Sequence, residues 1–160
     1  MSAPSALRQT LRLALNDAIK SGQTLARDTL RMVAAEIKQK DIDVRTRSQG
    51  KDNEAGDDAI IKLLHSMVKK RQESAALYQK GGRAELADKE QQEIAIIKTF
   101  MPEMMDAAAT EKAVDAALRQ QGATSLAQMG AVLGLLRKEH GTTLDMGKAS
   151  ALIKARLQKT

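Results

Sequence analysis

Leu7, Leu11, Ala14, Leu15, Ala18 and Ile19 recur at the three- and four-residue spacing of a helix, which predicts an amphipathic helix over about residues 5–20. Ser21-Gly22 ends it, and Thr24 is placed to cap a second helix. The apolar stripe of that helix is Leu30, Val33, Ala34 and Ile37, and it fades near Ile42. Residues 43–56 are polar, contain glycine and lack a period, so they read as a mobile surface loop. Asp57 or Asp58 opens a long third helix with Ile60, Leu64, Met67, Ser74 or Ala75, and Tyr78 along one side. Gly81-Gly82 stops it, and a fourth helix from about Ala84 carries Leu86, Ile94, Ile97 and Phe100.

Met101-Pro102 breaks the pattern, because proline restricts the residue before it and cannot continue a helix. The next periodic segment starts only near Thr110, so a domain boundary is expected between residues 1–100 and residues 103–160. Val114, Ala117 and Leu118 mark the first tail helix, which Gly122 ends. Ser125 through Gln128 forms a capping box for the next helix, expected to bury Leu126, Met129, Leu133 and Leu136. Gly130 and Gly134 within it suggest a close helix approach. Gly141 ends that helix, and Asp145 caps a last one striped by Met146, Ala149, Leu152, Ile153 and Leu157. The pattern predicts an all-α protein, a four-helix N-terminal domain followed by a small three-helix bundle.

Composition agrees with that reading. The chain has one Tyr, one Phe and no Trp, and it is rich in the helix formers Ala, Leu, Lys, Gln, Glu and Met. No Cys is present, which excludes disulfides, thiolate zinc sites and a cysteine nucleophile. Mean hydropathy is -0.38, and no apolar run of membrane-spanning length occurs. The N-terminus lacks the pattern of a secretory signal, so a soluble cytoplasmic protein without membrane partners is expected. A net charge of +6 permits a polyanionic partner. Scarce aromatics argue against recognition by base stacking.

Candidate chemistry is sparse. His65 and His140 are far apart and lack ligand-spaced companions, so no metal is implied, and no phosphate-binding glycine motif or catalytic serine pattern occurs. No cofactor is implied either, and no catalytic residue is readable. The informative stretch runs from Lys69 to Ile97. At about 100° per residue, Arg71 and Tyr78 fall near the apolar stripe of their helix, and Glu90 and Glu93 share a face of the next. Two helices joined by Gly81-Gly82 pack antiparallel, so Arg71 meets Glu90 or Glu93 near the core and Tyr78 offers its hydroxyl to the same network. This is either a structural ion-pair network or, with Arg83, an anion site. Arg137, Lys138, Lys148, Lys154, Arg156 and Lys159 give the tail a cationic surface, a candidate for nucleic-acid contact.

The run Lys69 to Tyr78, the turn from Gly82 to Ala87, Lys89-Glu90, Glu93-Ile94 and Phe100-Met101-Pro102 resemble the YqeY family, also called GatB/YqeY domain proteins. Thr29 through Lys38 resembles its second helix, and Gly122-Ala123, Met129-Gly130, Asp145 and Lys148 through Leu157 resemble its tail. Where many members carry Gly-Arg-Ala-Asp-Gly before the last helix, this chain has Gly141-Thr142-Thr143-Leu144-Asp145. The family resembles the C-terminal part of the B subunit of glutamyl/aspartyl-tRNA amidotransferase. The resemblance implies a helical domain with a three-helix tail and a tRNA-associated module. It also implies a carbon-nitrogen ligase activity with glutamine as amido-N-donor, exercised only within a larger assembly because the catalytic domain is absent here. Implied partners are tRNA and amidotransferase or aminoacyl-tRNA synthetase components. The alternative is a helical protein-interaction module without nucleic-acid binding, using Met101, Met104 and Met105.

Overall fold

A computed structural model describes residues 5–159. Among these residues the regular structure is seven α-helices and one short 3-10 turn, without a strand. The helices are α1 (Ala6–Lys20), α2 (Thr24–Arg47), α3 (Asp57–Lys80), α4 (Ala84–Lys98), α5 (Ala107–Gln121), α6 (Met129–His140) and α7 (Met146–Gln158), with the 3-10 turn at Leu126–Gln128. The chain divides into two compact units, Met1–Met101 and Pro102–Thr160.

The first unit is built from two hairpins, α1/α2 and α3/α4, that share one turn chemistry. Gly22 and Gly82 both adopt a φ of +69°, a left-handed conformation that glycine reaches without a Cβ penalty. In each turn the residue after the glycine donates its amide back into the preceding helix, Gln23 to Ala18 O at 3.0 Å and Arg83 to Tyr78 O at 2.8 Å. These bonds leave no capping role for Thr24: it is the first residue of α2, and Gln23 holds the cap position without a side-chain bond. Leu11, Leu30, Val33, Ile60, Leu64, Ile94 and Ile97 fuse the hairpins into one core, and Phe100 and Met101 pack against it.

The segment read as a mobile loop over residues 43–56 is shorter and better held than expected. α2 continues to Arg47, because no breaker follows Ile42 and Val44, seven residues after Ile37, returns to the core face. The remaining residues 48–56 are pinned by a latch of three partners. The Arg8 guanidinium donates to Asp41 at 2.6 and 3.0 Å and to the Ala55 carbonyl at 2.8 Å. The Ala55 amide donates to Asp41 at 2.8 Å, and the Ala55 side chain is buried in the core. The start of α1, the last turns of α2 and the loop are thereby joined.

In the second unit Val114, Val132, Leu136, Ala149 and Ile153 form the core. α5 begins at Ala107 rather than near Thr110, because Asp106 caps it by accepting the Ala109 amide at 2.7 Å. The Ser125/Gln128 capping box forms, but it encloses the 3-10 turn, and α6 starts after it. This offset changes the register: Leu126 is exposed, and Val132 with Leu136 carries the buried face. Asp145 caps α7 through the Gly147 and Lys148 amides at 2.9 and 3.1 Å. Gly130 and Gly134 are exposed, with open space where a Cβ would stand, so they do not mark a close helix approach.

Two outcomes follow from these local arrangements. Gly134→Ala, in a helix interior with nothing to clash, raises unfolding stability by about 0.5–1 kcal/mol, and Gly130→Ala, in the first turn, by less; a loss in denaturant unfolding would restore the close-approach reading. For the latch, burial works to raise the Asp41 pKa, but the Arg8 bond, the Ala55 amide and the nearby Arg8 and Arg45 charges outweigh it and hold the carboxyl below its ordinary range. The ion pair therefore stabilises the fold above about pH 4 and loses that effect as pH falls through the lowered value. Asp41→Asn should cost about 1–3 kcal/mol at neutral pH and flatten the acid limb of a melting-temperature profile. An Asn variant that melts like the parent at pH 7 contradicts the latch.

Candidate functional site

Arg71 and Glu93 meet between α3 and α4. Ala75 and Met67 turn one side of α3 into the core, and Ile94 and Ile97 do the same for α4. Arg71, four residues beyond Met67, and Glu93, beside Ile94, therefore reach inward from facing helices. Arg71 Nε donates to Glu93 Oε2 at 2.9 Å, and the two side chains keep only 12% and 9% exposure. The remaining arms of the guanidinium are also engaged. Nη1 donates to the Met67 carbonyl at 3.2 Å, and Nη2 lies 3.8 Å from the Met32 sulfur on α2. One residue thus ties three helices.

The pair forms the inner wall of a cleft of about 360 Å³ lined by Met32, Lys70, Ser74, Lys89 and Glu90. The other sequence candidates lie apart from it. Tyr78 is half-buried about two turns further along α3, outside the cleft lining. Arg83 is exposed at the cap of α4, where it meets Tyr78 through backbone atoms alone. Glu90 lines the cleft, but the bond from Arg71 goes to Glu93. Three cations and two carboxylates leave the cleft close to charge balance, and an incoming anion would have to compete with Glu93 for Arg71. The geometry is that of a lock between helices more than of a cradle.

The tail cations are all exposed: Arg137 and Lys138 in the last turn of α6, Lys148, Lys154 and Arg156 on α7, and Lys159 just after it. The short connection from α6 to α7 brings Arg137, Lys138 and Lys148 to one end of that helix pair. Lys148 and Lys159, eleven residues apart, fall within about 20° of one azimuth of α7 and its C-cap, whereas Lys154 lies about 120° around the helix from Lys148. Arg156 is drawn aside by Asp115 of α5, 3.3 Å from its Nε.

His140 closes α6, with Glu139 at 3.9 Å, and His65 stands half-buried on α3. Among the described residues no group of three His, Asp or Glu side chains converges as a metal site would require. Among the described residues no helix is long and apolar enough to cross a membrane. The latch residues Arg8, Asp41 and Ala55 escaped sequence reasoning. The only available signal was an arginine and an aspartate near the apolar stripes of α1 and α2, and nothing local relates residues 33 positions apart.

No curated protein matches the chain. The family model described as Yqey-like protein matches residues 8–157. That match takes in α2, the α3/α4 hairpin with its Arg71–Glu93 lock, and the capped α6/α7 pair as far as Leu157. By this match over nearly its full length, the chain belongs to the YqeY family.

Proposed function

We propose that the protein is a tRNA-binding accessory module of the tRNA-amidotransferase type, a four-helix domain with a three-helix tail that acts in the cytoplasm beside amidotransferase or aminoacyl-tRNA synthetase components. Its role in this reading is recognition, and any amide transfer from glutamine occurs on a partner. The observation that carries it is the exposure of Arg137, Lys138, Lys148, Lys154 and Lys159 around α6 and α7, where helix ends and lysine tips are free to meet phosphates. The likeness of the family's tail to that of the amidotransferase B subunit points the same surface toward tRNA. With Tyr78 and Phe100 both placed in the first unit, the tail has no aromatic side chain for base stacking. Contact would then rest on charge and backbone shape, the mode proteins use on paired RNA.

Binding of this kind is governed by counterion release, so affinity should fall steeply between about 50 and 200 mM salt. Titration of the full chain with total tRNA by fluorescence anisotropy measures it. Lys148→Glu combined with Lys154→Glu should weaken binding at every salt concentration and reduce the log-log salt slope by about 2. Absence of binding at low salt, or a slope unchanged in the double variant, removes this reading of the tail.

A further inference from the structure

α1 and α2 leave an open groove of about 260 Å³ along their seam. Its floor is apolar, made by Leu11 and Leu15 from α1 and Leu30, Val33 and Ile37 from α2. Its rim is cationic. Arg8 is committed to Asp41 and the Ala55 carbonyl, but Arg12 and Lys38 stand exposed on opposite lips.

Lys38 is also one member of a longer row. Arg31, Lys38 and Arg45 follow one another at seven-residue intervals on α2, and all three are exposed. Seven residues advance a helix by about 10.5 Å and turn its surface by only about 20°. The row therefore runs nearly parallel to the groove. The acidic groups nearest to it are engaged elsewhere. Asp41 accepts Arg8 and the Ala55 amide, with Arg45 as a more distant charge, and Asp28 accepts Arg27 Nε at 2.7 Å, with Arg31 more distant. Glu36 and Asp43 fall on the opposite side of α2.

We propose that the α1/α2 groove is a docking site for an acidic amphipathic helix of a partner protein. A helix lying along α2 has the same rise per residue. Carboxylates seven residues apart on it would meet Arg31, Lys38 and Arg45 in register, while Leu, Ile or Met side chains between them enter the apolar seam. Arg12 closes the other lip over the same acidic partner. An RNA backbone would use the cations but gain nothing from the Leu, Val and Ile floor, and neither α1 nor α2 holds an aromatic residue for a base. The site lies in the first unit and uses none of the tail cations, so it stands independently of the tRNA reading.

The probe is a fluorescein-labelled helical peptide about three heptads long, with Leu on one face and Glu at seven-residue intervals, titrated against the full chain. A Glu-to-Lys version and a scrambled version serve as controls. The acidic peptide should bind in the micromolar range and both controls should not. Arg12→Glu with Lys38→Glu should weaken binding about tenfold or more. Ala34→Trp should do the same: Ala34 is exposed within the groove, so the ring fills the seam while every charge stays. Lys148→Glu with Lys154→Glu should leave peptide binding unchanged. The proposal is overturned if the acidic peptide fails to bind, if the controls bind equally, or if Ala34→Trp has no effect. It is also overturned if the Arg12/Lys38 variant weakens tRNA binding while the peptide never binds, which would assign the row to phosphates.

Discussion

A guanidinium and a carboxylate, both nearly withdrawn from water, face each other at 2.9 Å between α3 and α4. Neither charge would be tolerated there alone, since desolvation of an unpaired ion costs several kcal/mol. Their placement therefore has to be correct before the core can close. It fixes the register of the α3/α4 hairpin, and through Met67 and Met32 it reaches back along α3 and across to α2. Apolar side chains alone would permit slippage, because Ile and Leu surfaces fit one another in several registers. The ion pair narrows those choices to one.

The Arg8–Asp41 latch plays a similar part at the other edge of the first unit. Together the two pairs anchor α1, α2, α3 and α4 with arginines, while most lysines stay outside. This division follows from chemistry. Arginine's planar fork satisfies several acceptors at once and is weakly hydrated, whereas lysine's compact ammonium is better left in water. The same rule assigns roles to the surface: the cations available to a partner include Lys38, Lys138, Lys148, Lys154 and Lys159 together with arginines such as Arg12 and Arg137.

Much of this architecture was legible in the sequence. Helix ends were clearest where backbone chemistry dictates them, as at Gly81-Gly82 and Gly122, and where a side chain caps, as at Asp145. Face arithmetic directed Arg71 toward Glu90 or Glu93, and the bond goes to Glu93. What escaped had physical reasons. The last turns of α2 are nearly all polar, so Val44 alone carried the period. The capping box hid a 3-10 turn, which shifted the register and turned Leu126 outward. The glycines of α6 were read through a motif that has meaning only where another helix packs on them. The latch joins residues distant in sequence, and no local pattern encodes such a meeting.

Arg71 and Glu93 thus form a lock between helices and not half of a ligand subsite. A double-mutant cycle in denaturant unfolding tests it most directly. Arg71→Met and Glu93→Leu should each cost about 3–5 kcal/mol, because each strands a buried charge. The double variant, with both charges gone and apolar volume restored, should recover much of that loss and give a coupling of about 1–3 kcal/mol. Additive losses, or single variants as stable as the parent, would contradict the account.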